Sequence, residues 1–291
     1  MLDAQNMKKP MLLWLLSVLA LLPMPARAAD QLALHFEGLV DPALLTGNGN
    51  IRVQSGAYKS LMRELGFAIA PRMGGPFQSL GPLGIEAGYS VSSVGLNSKA
   101  DYWKNAVDTP PTSLTVHQVN FRKGLPHSTQ IATSLTHVAN SNLWAIGADV
   151  RLSLVDGFRK IPDFGVRLGG NVVLGNSQME LATAAAEFGF SKSFGIGGVV
   201  AMQPWISYTL GYTYALAHTL TVFPNEKAIK GQNATLDPLG GGTNGNFFDG
   251  IGHRGGIGLR IIATRVQFGF EFMRSLTDGL NALTGKIGVA F

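Results

Sequence analysis

An all-β fold, a transmembrane antiparallel up-and-down β-barrel, is what this sequence predicts, and three observations predict it. Apolar residues recur with period two in about eleven short segments, the spacing that puts them on one face of a strand. Charged residues make up only 14% of the chain while hydrophobic residues reach 46%, and glycine is abundant at 37 residues. Beyond the N-terminal run described next, no stretch is long and apolar enough for a membrane helix. In lipid the remaining way to satisfy the backbone is hydrogen bonding between strands of a closed barrel, which has no edge.

The N-terminus reads as a secretory signal. Lys8 and Lys9 precede an apolar run over residues 11–23, followed by Ala26-Arg27-Ala28. This is a basic region, an apolar region and a small-x-small cleavage site. The run is shorter than the roughly 20 apolar residues of a spanning helix. Cleavage near Ala28 leaves 291 − 28 = 263 residues. The predicted division is therefore 1–28 signal peptide, 29–60 an N-terminal segment (a first strand or a periplasmic cap), and 61–291 the barrel.

Taken in order, the alternating segments are residues 64–70, 85–92, 118–122, 130–136, 144–154, 165–172, 185–191, 200–212, 256–261, 266–272 and 283–291. The segment from Trp144 is the cleanest in the middle of the chain: Trp144, Ile146, Ala148, Val150, Leu152 and Leu154 oppose Ala145, Gly147, Asp149, Arg151 and Ser153. Single-chain bacterial barrels carry an even number of strands, short turns at one end and long loops at the other. Counting back from Phe291 puts Thr264-Arg265 at the short-turn end and residues 95–112 and 215–252 at the long-loop end. The segment 64–70 then runs downward, so parity demands an upward strand before it, placed within residues 31–58. The expected count is about 12 strands, with 10 or 14 as alternatives. Two features fit poorly. Pro204 lies in a strand that should be fully paired, so a bulge or a rim position is expected there. Residues 57–65 also read as a short amphipathic helix, in which case the N-terminal segment plugs or caps the periplasmic mouth.

The alternation also sorts the charges. Those predicted to line the lumen are Glu64, Glu86, Asp149, Glu187 and Glu271 against Arg122, Arg151, Arg167, Arg260 and Lys286. A charge in a narrow interior is costly unless paired, so balanced signs point to a network bracing the wall. The competing reading is a conducting constriction, although strongly selective pores favour rings of one sign. The long loop over residues 227–252 is glycine-rich and polar, and is expected outside the cell or folded inward as a gate. Trp144, Tyr89, Tyr208, Tyr212 and Phe291 are candidates for the interfacial aromatic girdles.

Several chemistries are disfavoured. There is no cysteine, which removes disulfides, thiolate metal sites, cysteine nucleophiles and a lipoprotein anchor. The net charge of +5 is not gathered into a basic face with interleaved aromatics, so no nucleic-acid partner is expected. The histidines are His35, His117, His127, His137, His218 and His253, and no His-Glu-x-x-His spacing occurs. No local spacing supplies a nucleophile, a base and an orienting group. Outer-membrane phospholipases resemble one another in a His-x-Ser pair that is absent here, and the Asp249/His253 spacing is a weak likeness to omptin-type proteases. The chain is therefore not expected to be an enzyme, and no cofactor or metal is expected.

The last nine residues, LTGKIGVAF, place Leu283, Ile287, Val289 and the terminal Phe291 on one face. An apolar stripe ending in an aromatic resembles the closing strand of Gram-negative outer-membrane β-barrel proteins, and with the signal peptide and the alternation the whole chain resembles that porin-like class. No characterised subfamily is matched. About 32 residues precede the first alternating segment, too few for the plug domain of a 22-stranded lumen. The resemblance implies a place in the bacterial outer membrane, lipid as a permanent partner, and recognition of Leu283, Ile287, Val289 and Phe291 by the barrel assembly machinery. The expected function is a weakly selective passive channel for small solutes, because the lumen face is rich in glycine and small residues; the alternative is a closed structural or adhesive barrel whose extracellular loops bind a partner.

Overall fold

A computed structural model of the chain describes residues 32–40, 51–53, 55–72, 75–222, 232–242 and 245–291. A 3-10 turn (Phe36–Leu39), β1 (Ile51–Val53) and α1 (Gly56–Ile69) come first. Then follow β2 (Ile85–Gly95), the short α2 (Asp101–Ala106), β3 (Ser113–Gly124), β4 (Thr129–Val138), β5 (Trp144–Val155), β6 (Asp163–Leu174) and β7 (Met179–Ser191). The remaining elements are β8 (Phe194–Ile196), β9 (Val200–Ala217), β10 (Leu220–Val222), β11 (Gln232–Leu236), a 3-10 turn (Phe247–Gly250), β12 (Ile251–Ala263), β13 (Val266–Ser275) and β14 (Asn281–Ala290).

Ten of these strands close a ring. Each pairs antiparallel with its neighbour in the order β2 to β7, β9, β12, β13, β14, and β14 pairs back onto β2. The closing seam runs from Ala282↔Val94 to Ala290↔Glu86. Phe291 and Ile85 then exchange backbone hydrogen bonds below it. The ring obeys the alternation residue by residue. Ile146, Leu168, Ile206, Phe270 and Leu283 point outward and are more than half exposed, as side chains facing lipid are when lipid is stripped away. Their chain neighbours Ala145, Arg167, Trp205, Glu271 and Ala282 point inward and are buried. One end carries the turns at residues 125–128, 156–162, 192–199 and 264–265. The other carries the long loops at 96–112 and 218–250.

The strand count is thus ten, not about twelve. The surplus came from the first alternating segment. Residues 64–70 belong to α1 and the turn after it, so Glu64 sits on a helix and not on the wall. Ser55 caps the helix by accepting from the Tyr58 N–H, and Ala70-Pro71 ends it, since a residue before proline leaves the helical region. Leu61, Met62, Leu65 and Phe67 are all buried, because this helix lies inside the barrel mouth. Its polar side, Lys59 and Arg63, lies in the first half, while residues 64–69 are buried throughout, and such a short apolar stretch passes for a strand. The parity-demanded strand within residues 31–58 is absent among the described residues. Phe36–Leu39 is a 3-10 turn, and β1 pairs with β11 in a separate three-stranded sheet with β10.

The N-terminal segment caps the long-loop mouth, the opposite end from the periplasmic one expected. Leu32, Leu34, Phe36 and Leu39 form one apolar core with Trp103 of α2, Leu236 of β11 and the upper wall residues Val94, Leu114, Leu181 and Ala217. Pro204 causes no register shift on β12, where it pairs with Leu259. On the other side the ladder is interrupted between β7 and β8, where Lys192 N–H donates to the Pro204 carbonyl and proline has no N–H to return.

Below α1 the chain descends through the lumen from Gly75 to Gly84 and emerges at the short-turn end to begin β2. Phe77 is fully buried here against the inward glycines Gly165 and Gly189. A side chain at Gly189 would strike the Phe77 ring and the Ile206 carbonyl. Gly189→Val is expected to destabilise the protein by about 1–3 kcal/mol through overpacking, and Phe77→Ala by about 3 kcal/mol through the cavity it leaves. In the double variant the part of the overpacking owed to the Phe77 ring should vanish, and the part owed to the Ile206 carbonyl should remain. The check is the midpoint of urea unfolding in lipid; strictly additive losses would mean that the two residues do not share one site.

Candidate functional site

The lumen is the site, and it has three storeys. At the long-loop end the inward side chains are apolar: Val116, Val138, Ala215, Met273 and others meet Leu61, Met62 and Leu65 of α1. Inside this collar α1 is held by polar contacts to three loops. Lys59 pairs with Asp249 at 2.7 Å and Arg63 with Asp278 at 3.5 Å. Glu64 accepts from the Asn97 N–H (3.1 Å), the Tyr102 hydroxyl (2.7 Å) and the Trp103 indole N–H (2.7 Å). Burial and the adjoining Glu64 carboxylate push the Tyr102 phenol up to about 12, so it stays a donor.

At mid-height the plug is a strand-like coil with no strand partners, so its carbonyls need wall donors. Asn171 donates to the Ile69 carbonyl, Arg167 to Gly75, Arg151 to Pro76, Ser153 to Phe77 and Gln130 to Gln78. The wall accepts in turn: Phe77 N–H donates to Ser191 and Ser79 N–H to Asp156. Arg72 and Arg254 place their guanidinium groups 5.5 and 5.2 Å from the centre of the Phe67 ring, two cation–π contacts on one aromatic.

Beside the coil lies the charge network. Glu86, fully buried, holds Lys286 at 2.6 Å and both Arg122 and Arg260 at 3.3 Å. Arg260 also donates to Gln203 at 2.7 Å. Across the lumen Arg167 pairs with Glu187 at 3.2 Å. Arg72, Arg122, Arg260, Lys286, Asp149 and Glu271 line a polar cavity beside the coil.

Nine of the ten charges predicted to face the lumen are on inward faces of the ring; the tenth, Glu64, reaches the interior from α1. Six of the nine (Glu86, Arg122, Arg167, Glu187, Arg260 and Lys286) form ion pairs, while Arg151 reaches the plug. Two cations escaped the sequence reading. Arg254 has the same parity as Arg260 but lies above the segment as it was delimited. Arg72 sits in irregular chain after Pro71 and carries no period to betray it. The plug carbonyls belong to every sequence alike and give no signal at all.

The outer wall carries paired aromatics. Tyr89 bonds His117 at 2.7 Å, Tyr208 bonds His253 at 2.6 Å, Trp144 packs on His137, and Tyr212 stacks on Phe247. Asp249 is taken by Lys59 and His253 by Tyr208, so the pair suggested by spacing is not assembled. Leu283, Ile287 and Val289 face outward on β14, and the Arg265 guanidinium lies over the Phe291 ring at 5.3 Å. Among the described residues no three or more acidic or histidine side chains gather as a metal site would need.

No protein-family model matches the chain, and no curated protein matches it in sequence. Solved structures similar to it are outer-membrane β-barrels. The outer membrane protein Omp33 of Acinetobacter baumannii is 10% identical, with 74% of this chain and 100% of that one covered and a TM-score of 0.30. The KdgM porin is 8% identical over 72% and 99%, with a TM-score of 0.30. The transport unit of the autotransporter AIDA-I from Escherichia coli is 12% identical over 80% and 97%, with a TM-score of 0.34. The chain is all-β in architecture, a closed antiparallel barrel of ten strands.

The Glu86 cluster yields a test. Removing one member of a buried charge network strands the others at a cost of about 3–5 kcal/mol. Glu86→Gln leaves Arg122, Arg260 and Lys286 facing one another without their shared anion. It is expected to lower the temperature at which the folded, heat-modifiable band is lost, and Glu86→Gln combined with Lys286→Met to recover part of that loss. An unchanged temperature for the single variant would refute the bracing role.

Proposed function

We propose that this protein is a closed outer-membrane barrel, sealed by its own N-terminal segment, whose working surface is the cap at the long-loop end. Long loops of such barrels face outside the cell. The cap joins the N-terminal residues 32–40 with α2, β1, β10 and β11, and gives the barrel a folded extracellular face anchored to its interior. Such a face suits adhesion or a structural role.

The observation that supports this over passive conduction is the filling of the lumen. A solute crossing it meets first the apolar collar around α1, then the hydrogen-bonded coil, beside the polar cavity lined by Arg122 and Lys286. Opening a path means moving Phe77, Arg151 and Glu64 away from all the partners just described. A conducting barrel remains the alternative reading of the same polar lining, with the plug as a movable part.

Purified, heat-modifiable protein in a planar bilayer distinguishes the two. The native chain is expected to be silent at moderate voltage, and removal of residues 32–80 to give open-channel steps. Steady steps from the native chain would refute the sealed reading whether or not the shortened chain folds.

A further inference from the structure

We propose that this barrel carries its own N-terminal segment through its lumen, so that residues 32–40 and 51–53 are displayed on the cell surface while Phe291 stays in the periplasm. The inference shares the barrel's orientation with the function proposed above. It does not depend on what the cap binds or on whether the lumen conducts.

The path of the chain carries it. β2 begins at the short-turn end, where Ile85 and Phe291 exchange backbone hydrogen bonds. The residues before it are fastened to that same end: the Gly124 N–H donates to the Gly84 carbonyl, and the Ser79 N–H to Asp156 in the β5–β6 turn. Going back along the chain, Phe77, Pro76 and Gly75 are held by Ser153, Arg151 and Arg167 inside the wall. α1 lies higher still, tied to Asp249, Asp278 and Asn97 of three loops at the far end. Before α1 the chain is on the long-loop face. The His35 N–H donates to the Ala106 carbonyl of α2 at 2.8 Å, the Phe36 ring packs edge-on to Tyr58, and β1 lies parallel to β11. The described parts of this segment thus run from one mouth to the other.

A chain with a secretory signal reaches the periplasm first, with its N-terminal segment on that side. The wall offers no gate for it. All ten strands pair with both neighbours, and prising two apart in lipid leaves ladder groups unsatisfied at several kcal/mol each. The lumen is the remaining route. It is also shaped for this passenger: wall glycines 165 and 189 make room for Phe77, and Gly124 for the backbone at Gly81. Gly66 of the helix in turn lies against Thr213 of the wall. The barrel therefore acts as both conduit and anchor for its own first residues, and ends by being stoppered with the last part of them.

The absence of natural cysteine makes the test direct. Three single variants of the full chain carry an exposed cysteine: His35→Cys in the N-terminal segment, Lys104→Cys in α2 and Lys160→Cys in a short turn. Intact cells are treated with a membrane-impermeant maleimide, then compared with permeabilised cells. His35→Cys is expected to label in intact cells to the same extent as Lys104→Cys, while Lys160→Cys gains at least tenfold on permeabilisation. Glu37→Cys reads the same segment if His35→Cys fails to assemble. Labelling of the N-terminal cysteines only after permeabilisation, together with Lys160→Cys, would overturn the proposal. So would the inverse pattern, with Lys160→Cys accessible from outside. Open steps in the bilayer experiment alongside surface labelling would instead remove the sealed function and leave this inference standing.

Discussion

A peptide group surrounded by hydrocarbon has no water to turn to, and most of this molecule follows from that constraint. Ten strands meet it by pairing in a circle. Once the circle is closed, each residue can point only to lipid or to the axis, and the sequence is sorted accordingly. Leu283, Ile287 and Val289 go one way, Thr284 and Lys286 the other. The outward set needs no specific partner. The inward set is a different matter, because a narrow interior is neither lipid nor bulk water.

The interior is made habitable in two ways. Wall charges answer one another, with Glu86 at the centre of three cations and Glu187 against Arg167. The rest of the space is taken up by chain from the same molecule. A coil is a demanding filler, since each carbonyl lacks a strand partner, and Asn171, Arg167, Arg151 and Ser153 are spread over β5 and β6 to supply the donors. These residues look like a pore lining until the plug is seen among them. Polar inward positions report that something polar lies on the axis; water and peptide carbonyls ask for the same side chains.

That ambiguity explains what could be read from the sequence and what could not. The barrel class, the inward charges, the outward stripe of β14 and the ends at which the loops gather were legible, because each depends on a period of two that the closed sheet enforces. The alternation over 64–70 misled. Leu65, Phe67 and Ile69 are apolar because everything around α1 is packed, not because one face meets lipid. Residues 57–65 did carry a helical pattern, and the even-strand rule was what outweighed it. The rule holds for wall strands, and the segment ending at Ile69 does run downward as counted, but inside the wall. Arg72 and the carbonyls of residues 75–78 had no pattern to be found by.

The axial passage changes the arithmetic of crossings. Ten strands alone would return both ends of the chain to one side. The eleventh traverse, made without joining the sheet, leaves residue 32 and Phe291 at opposite mouths of the barrel. The chain is consequently a thread through its own ring, and it cannot be rejoined end to end: a linker from Phe291 to residue 32 would have to traverse a bore that is already occupied.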